Sequence, residues 1–122
     1  GRSRLLVDMF ADETDLDCIN PLEVPPMGDV DLAEVKHSRG SQIALMGNLH
    51  TTDVILRATP DEVYRVARDA ILHAGDQGGF ILSTGDQCPR DTPDENLRAL
   101  NQAAHDWGRY AQDGTLIPGT FP

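Results

Sequence analysis

Residues 78–110 read GGFILSTGDQCPRDTPDENLRALNQAAHDWGRY, and this stretch decides the fold class. It opens on a short apolar run, Phe80-Ile81-Leu82, of the kind that forms a buried strand. A polar elbow from Ser83 to Asp91 follows, and then a helix start spelled out by Thr92, Pro93 and Glu95. The Thr92 hydroxyl is expected to accept from the amide three residues on, while Glu95 reaches back to the Thr92 amide. Pro93 sits where its missing N–H costs nothing. Leu97, Leu100, Ala104 and Trp107 then recur at helical spacing, giving one apolar stripe to lay against a sheet. A strand, an elbow and an amphipathic helix in this order place the elbow at the C-terminal edge of a parallel sheet, where α/β proteins hold their ligands.

The same grammar runs upstream. Thr59-Pro60-Asp61-Glu62 repeats the capping box, and Val63, Val66, Ala67, Ala70 and Ile71 supply the stripe behind it. Before that helix lies the apolar run Gln42 to Met46 (QIALM), which suits a parallel strand covered on both faces. The elbow Gly47-Asn48-Leu49-His50 follows it, and Thr51 to Arg57 reads as a turn of helix. Asp31 with Glu34 marks another helix start, running to about Ser38 and ended by Gly40. Asp17 to Leu22 (DCINPL) reads as a short strand, and the prolines of Glu23 to Gly28 (EVPPMG) make that segment a loop. Leu5 to Glu13 suits a short helix. The chain is thus one helix and then three strand–loop–helix units, which implies three parallel strands with right-handed crossovers. Three strands do not close a barrel, and they leave two open edges. Residues 111–122 carry turn formers without periodicity and are expected to be an extended, loosely packed tail.

At 122 residues and 39% apolar content, the chain has material for one modest core. Its 20 acidic against 10 basic residues, a formal charge of −10, repel phosphate backbones and anionic lipid, so neither nucleic acid nor a membrane is expected as partner. No apolar run approaches a membrane span, and no basic-then-apolar leader is visible. The expectation is a soluble, cytoplasmic protein. Cys18 and Cys88 are too few for a disulfide framework and are expected as reduced thiols. Gly1 in place of a methionine reads as a residue left from expression or as the mark of a cut from something longer.

Three segments, PLEVPPMGDVDL (21–32), LMGNLHTTDVI (45–55) and GGFILSTGDQCPRDTPDENLRAL (78–100), resemble the uroporphyrinogen decarboxylase-like superfamily in both order and spacing. That superfamily includes the decarboxylases and the zinc-dependent methyltransferases that act on corrinoid proteins. The resemblance implies a TIM (β/α)8 barrel roughly three times this length, of which residues 1–110 would be the last three strand–helix units. Nothing here matches the aspartate and arginines that decarboxylases carry near the start of the barrel. The His-x-Cys zinc motif of the methyltransferases is also absent. Where the methyltransferases place a last zinc-binding cysteine after the glycine of the final elbow, and decarboxylases often a histidine, this chain has Asp86, with Cys88 two residues on.

The candidate site follows from the two elbows. Asp86 could line a pocket, act as general acid or base, or bind metal; equally, it could simply form a turn with Gly85. His50 could meet Asp86 if the strands are neighbours, giving a titratable pair, or be a solvated loop histidine. Asn48, Gly47, Gly85, Gln87 and Arg90 are the expected substrate-binding set on the same elbows, although Arg90 and Arg98 could instead pair with Asp91, Asp94 or Glu95. Cys88 is expected to pack, Cys18 and Trp107 to lie in the core, and His37, His73 and His105 to lie at the surface or in helix packing. The resemblance implies a small-molecule substrate such as a carboxylated tetrapyrrole, with no cofactor unless the methyltransferase branch applies, in which case zinc is expected. The missing N-terminal barrel half or a homo-oligomer is the expected partner, and the isolated chain is expected to be inactive, the further alternative being a non-enzymatic truncated module that folds by assembling with copies of itself or with a partner chain.

Overall fold

A computed structural model describes residues 1–119. The elements follow in the order α1 (Arg4–Glu13), β1 (Cys18–Ile19), α2 (Leu32–Arg39), β2 (Ala44–Leu49), a π-helix (Thr51–Leu56), α3 (Pro60–Ala74), β3 (Phe80–Thr84) and α4 (Asp94–Trp107). The three strands form one parallel sheet in the order β1-β2-β3. Its ladder pairs Cys18 with Ala44, and then Leu45 with Phe80 through to Leu49 with Thr84. This is an open parallel α/β sheet, as the alternation of elements implied, and it matches part of a TIM-type barrel, as the family resemblance implied.

Helices cover one face. Leu45 and Leu49 are buried in a core shared with Leu22, Val35, Ile43, Ile55, Val63 and Ala67, and Phe80 and Leu82 pack against it. The register partners Met46 and Ile81 lie between these positions on the ladder, and Ile81 is 50% exposed. Successive strand side chains point to opposite faces, so this pair stands on the side that no helix covers. The apolar residues of α1 are also largely uncovered: Val7 is buried, but Leu5 is 69% exposed and Leu6, Met9 and Phe10 remain partly open. Ion pairs hold α1 to α2 instead. Arg4 forks onto Glu34 at 2.6 and 2.8 Å, and Arg39 reaches Asp8 at 2.8 Å and Asp12 at 2.7 Å. The Arg4 guanidinium, with Arg39 beside it, holds the Asp8 carboxyl below the usual carboxylate range.

Local chemistry moves several expected boundaries. Strand β2 lies two residues later than expected, because the Gln42 and Ile43 amides turn back to the Arg39 carbonyl at the end of α2. The first elbow residues Gly47, Asn48 and Leu49 therefore belong to the strand. Strand β1 is only two residues long, since Pro21 brings no amide to a ladder. Helix α3 begins as the sequence implies: the Thr59 hydroxyl accepts from the Glu62 amide at 3.3 Å, and the Glu62 carboxylate accepts from the Thr59 amide at 2.7 Å. The second Thr-Pro-Asp-Glu start does not cap in this way. The Thr92 hydroxyl donates to the Pro89 carbonyl at 2.8 Å, so the helix begins one residue later, at Asp94, behind Pro93. On α4 the fully buried side chains are Asn96 and Ala103, whereas Leu97, Leu100 and Trp107 are half-buried. Val66 of α3 is also open to solvent.

The tail is docked rather than loose through Gly119. Tyr110 bridges to Leu116, the Tyr110 hydroxyl donates to the Gly75 carbonyl at 2.7 Å, the Gln77 amide donates to Gly114, and the Leu116 amide donates to Asp76. It thereby clamps the α3–β3 turn. The last three positions of the expected tail, 120–122, lie outside the described residues. Among those described, no helix is long and apolar enough to cross a membrane.

The two threonines make a matched test of capping. Thr59→Ala removes a complete capping box and should cost about 1–2 kcal/mol in urea unfolding. Thr92→Ala removes a turn hydrogen bond at a half-buried position and should cost about half that or less. Equal losses would contradict the two roles.

Candidate functional site

The parallel register brings the C-terminal ends of β1, β2 and β3 to one rim. Gly85, the first residue beyond β3, donates its amide to the Leu49 carbonyl at 2.8 Å, so the elbows after β2 and β3 sit side by side. Between them is a cavity of about 60 Å³, lined by Glu23, Val24, Asn48, His50, Thr51 and Gly85 among others. It has room for a carboxylate-sized group, whereas whole-ligand pockets run to about 300–1,000 Å³. Larger hollows exist but are differently lined. An open groove of about 460 Å³ between α2 and α3 also touches Asn48 and is bordered by three carboxylates, Asp29, Asp31 and Asp69, where the smaller cavity is lined by one, Glu23. A wider hollow, about 640 Å³, lies at the opposite end of the sheet around Lys36, Gly40 and Gln77.

Each rim side chain has a local cause. Asn48 is 7% exposed, and its Nδ2 donates to the Leu22 carbonyl at 2.8 Å, tying β2 to the loop after β1. Gly47 precedes it with φ +149°, a backbone region that side chains rarely adopt, so only glycine fits there without strain. His50 begins the π-helix: its Nδ1 accepts from the Asp53 amide at 3.0 Å, and its Nε2 lies 3.8 Å from Asp53 Oδ2. His50 is thus a capping residue, with Asp53 rather than Asp86 as its carboxylate neighbour. π-turns recur at functional sites, and the expected turn of helix takes that form here.

The remaining candidates stand apart. Asp86 is exposed, and its Oδ1 accepts from the next amide, that of Gln87, at 2.6 Å, while Thr84 Oγ1 donates to its carbonyl. This is the arrangement of a turn carboxylate, and Asp86 does not line the cavity. Gln87 and Arg90 are exposed, and among the described residues neither Arg90 nor Arg98 forms an ion pair. Cys88 is exposed rather than packed, Cys18 is half-buried in β1, and His37, His73 and His105 are at the surface. No three His, Cys, Asp or Glu side chains converge as a metal donor set among the described residues.

Sequence patterning missed Asn96. It is 1% exposed, and its Nδ2 donates to the carbonyls of Ile55 and Ala58, both at 2.9 Å. Two of the rim's supporting elements, the π-helix and α4, are joined by that one side chain. The available signal was Pro60, which deprives a preceding carbonyl of a donor.

The family model described as uroporphyrinogen decarboxylase (URO-D) matches residues 9–107. The chain belongs to the URO-D family. Two relatives lie on different branches of its chemistry. The uroporphyrinogen decarboxylase of Actinobacillus succinogenes is 29% identical over 80 residues, which are 66% of this chain and 22% of that protein. The methylated-thiol--coenzyme M methyltransferase of Methanosarcina mazei is 36% identical over 64 residues, 52% of this chain and 16% of that protein. A solved methyltransferase structure from Methanosarcina mazei matches the fold with a TM-score of 0.66 at 20% identity, covering 86% of this chain and 28% of that one. This URO-D-family chain therefore spans about a fifth of the curated relatives' length.

Removing the Asn48 carboxamide leaves the buried Leu22 carbonyl without its partner. Asn48→Ala should lower unfolding stability by about 1–3 kcal/mol, while Asp86→Asn, at an exposed turn, should stay within about 0.5 kcal/mol. A reversed ranking in denaturant titrations would contradict the placement of these two residues.

Proposed function

We propose that this chain is the rim-bearing sector of a URO-D-family decarboxylase that acts, in a completed barrel, on a carboxylated tetrapyrrole or a related small-molecule acid. The observation that carries this reading is the meeting of Asn48, His50 and Gly85 around a carboxylate-sized cavity at the C-terminal ends of parallel strands. His50 would donate through Nε2 to one carboxylate of the substrate, with Gly85 lining the cavity beside it. In decarboxylation the bond from carbon to that carboxylate breaks, CO2 leaves, and a proton takes the electron pair left on carbon. A substrate with many carboxylates needs cations, and a chain of net charge −10 does not supply them. They would come from the sector of the barrel that these residues do not include, and the isolated chain would accordingly be inactive.

Methyl transfer is the second reading, favoured by the 36% identity to the methylated-thiol--coenzyme M methyltransferase. In that case most of the zinc donors would come from outside this chain.

Two chimaeras separate the readings. Residues 9–107 replace the matching segment of the Actinobacillus succinogenes decarboxylase in one, and of the Methanosarcina mazei methyltransferase in the other. The decarboxylase chimaera is expected to bind a carboxylated porphyrin and release CO2 from the reduced substrate, with His50→Ala costing at least tenfold in kcat/KM. A folded decarboxylase chimaera that binds no porphyrin, beside a methyltransferase chimaera that takes up zinc and transfers methyl groups, would overturn the first reading in favour of the second.

A further inference from the structure

The π-helix leaves a carbonyl without a backbone partner. In a π-turn the carbonyl of one residue accepts from the amide five residues on, as the Ile55 amide does from His50 at 3.0 Å and the Arg57 amide from Thr52 at 3.1 Å. For the Ile55 carbonyl that fifth residue is Pro60, which has no N–H. The nearer donor, the Thr59 amide, is already given to Glu62 at 2.7 Å. Asn96 supplies the missing donor through Nδ2 and spends its second hydrogen on the Ala58 carbonyl. A flipped carboxamide would face two carbonyl oxygens with a third, so the orientation is fixed by chemistry. Asn96 Oδ1 is itself buried without a partner.

At the opposite end of the same helix stands His50. Its carbonyl accepts from the Val54 and Ile55 amides, and its Nδ1 accepts from the Asp53 amide. In a neutral imidazole the accepting nitrogen carries no proton, so the proton resides on Nε2. The Asp53 carboxylate, 3.8 Å from Nε2, favours a proton there as well.

We propose that Asn96 is a positioning residue. By pinning Ile55 and Ala58 to α4, it keeps the π-helix wound so that the Asp53 amide occupies His50 Nδ1, and His50 presents Nε2–H as a donor to a ligand oxygen. Only that last clause rests on the rim's being a ligand-binding edge.

The test uses the 122-residue chain labelled with ¹⁵N. Long-range ¹H–¹⁵N spectra of the imidazoles are recorded above the histidine titration range, and the His50 signals are identified by their loss in His50→Gln. The unmodified chain is expected to show His50 as a single tautomer, with a pyridine-like Nδ1 and a pyrrole-like Nε2. In Asn96→Leu, His50 should become an averaged mixture of tautomers while the exposed His37, His73 and His105 keep their shifts. If the leucine variant loses its dispersed spectrum, Asn96→Ser, which retains one donor, is read instead and should show a partial shift. A single Nε2–H tautomer in either folded variant overturns the proposal, and so does a mixture in the unmodified chain. No ligand enters this readout, so failure here is distinct from failure of the decarboxylase chimaera.

Discussion

The parallel ladder between β2 and β3 is the constraint on which the rest of the structure depends. Five consecutive pairs, from Leu45 with Phe80 to Leu49 with Thr84, set the two strands in one direction and in one register. A parallel pair needs a crossover between its strands, and α3 with the π-helix is that crossover. Once the register is set, His50 and Gly85 must leave the sheet at the same edge. A slip of β2 by one residue would turn Leu45 and Leu49 out of the core and bring Met46 to the helices instead.

That ladder also explains what the chain lacks. Parallel sheets are stable when both faces are covered, and here the helices bury only one. Ile81 and Met46 on the open face, the apolar side of α1, and the two-residue strand β1 all present surface that the described residues do not bury. In a closed barrel the open face becomes the packed interior and the edges pair with further strands. The family membership and the chain's share of its relatives' length agree with that picture. The weight of the fold therefore falls on the α3–α4 side, where Asn96, the core alanines and the docked tail join neighbouring elements.

Much of this was legible from residue order, and the misses have physical reasons. Capping at Thr59, the apolar runs of β2 and β3, and the amphipathic stripe of α3 are local signals, and the parallel α/β class follows from their alternation. Thr92 carries the same local signal and fails because Pro89, three residues earlier, offers its hydroxyl a competing carbonyl. Asn96 was invisible to apolar periodicity since a buried amide looks like a surface residue until its partners, some forty positions away, are known. The elbows pointed to the C-terminal rim of the strands, and the structure brings Asn48, His50 and Gly85 together there. They did not distinguish Asp86, whose carboxylate is turned to the adjacent amide, from a residue facing the cavity.

The central claim is that β2 and β3 run in the same direction and bring both elbows to one rim. Backbone amide and Hα contacts measured by nuclear Overhauser spectroscopy on the chain test it most directly. The account predicts contacts that step in parallel, with Leu45 near Phe80, Gly47 near Leu82 and Leu49 near Thr84. Contacts running the other way, with Leu45 near Thr84 and Leu49 near Phe80, would place His50 and Gly85 at opposite ends of the sheet and contradict it.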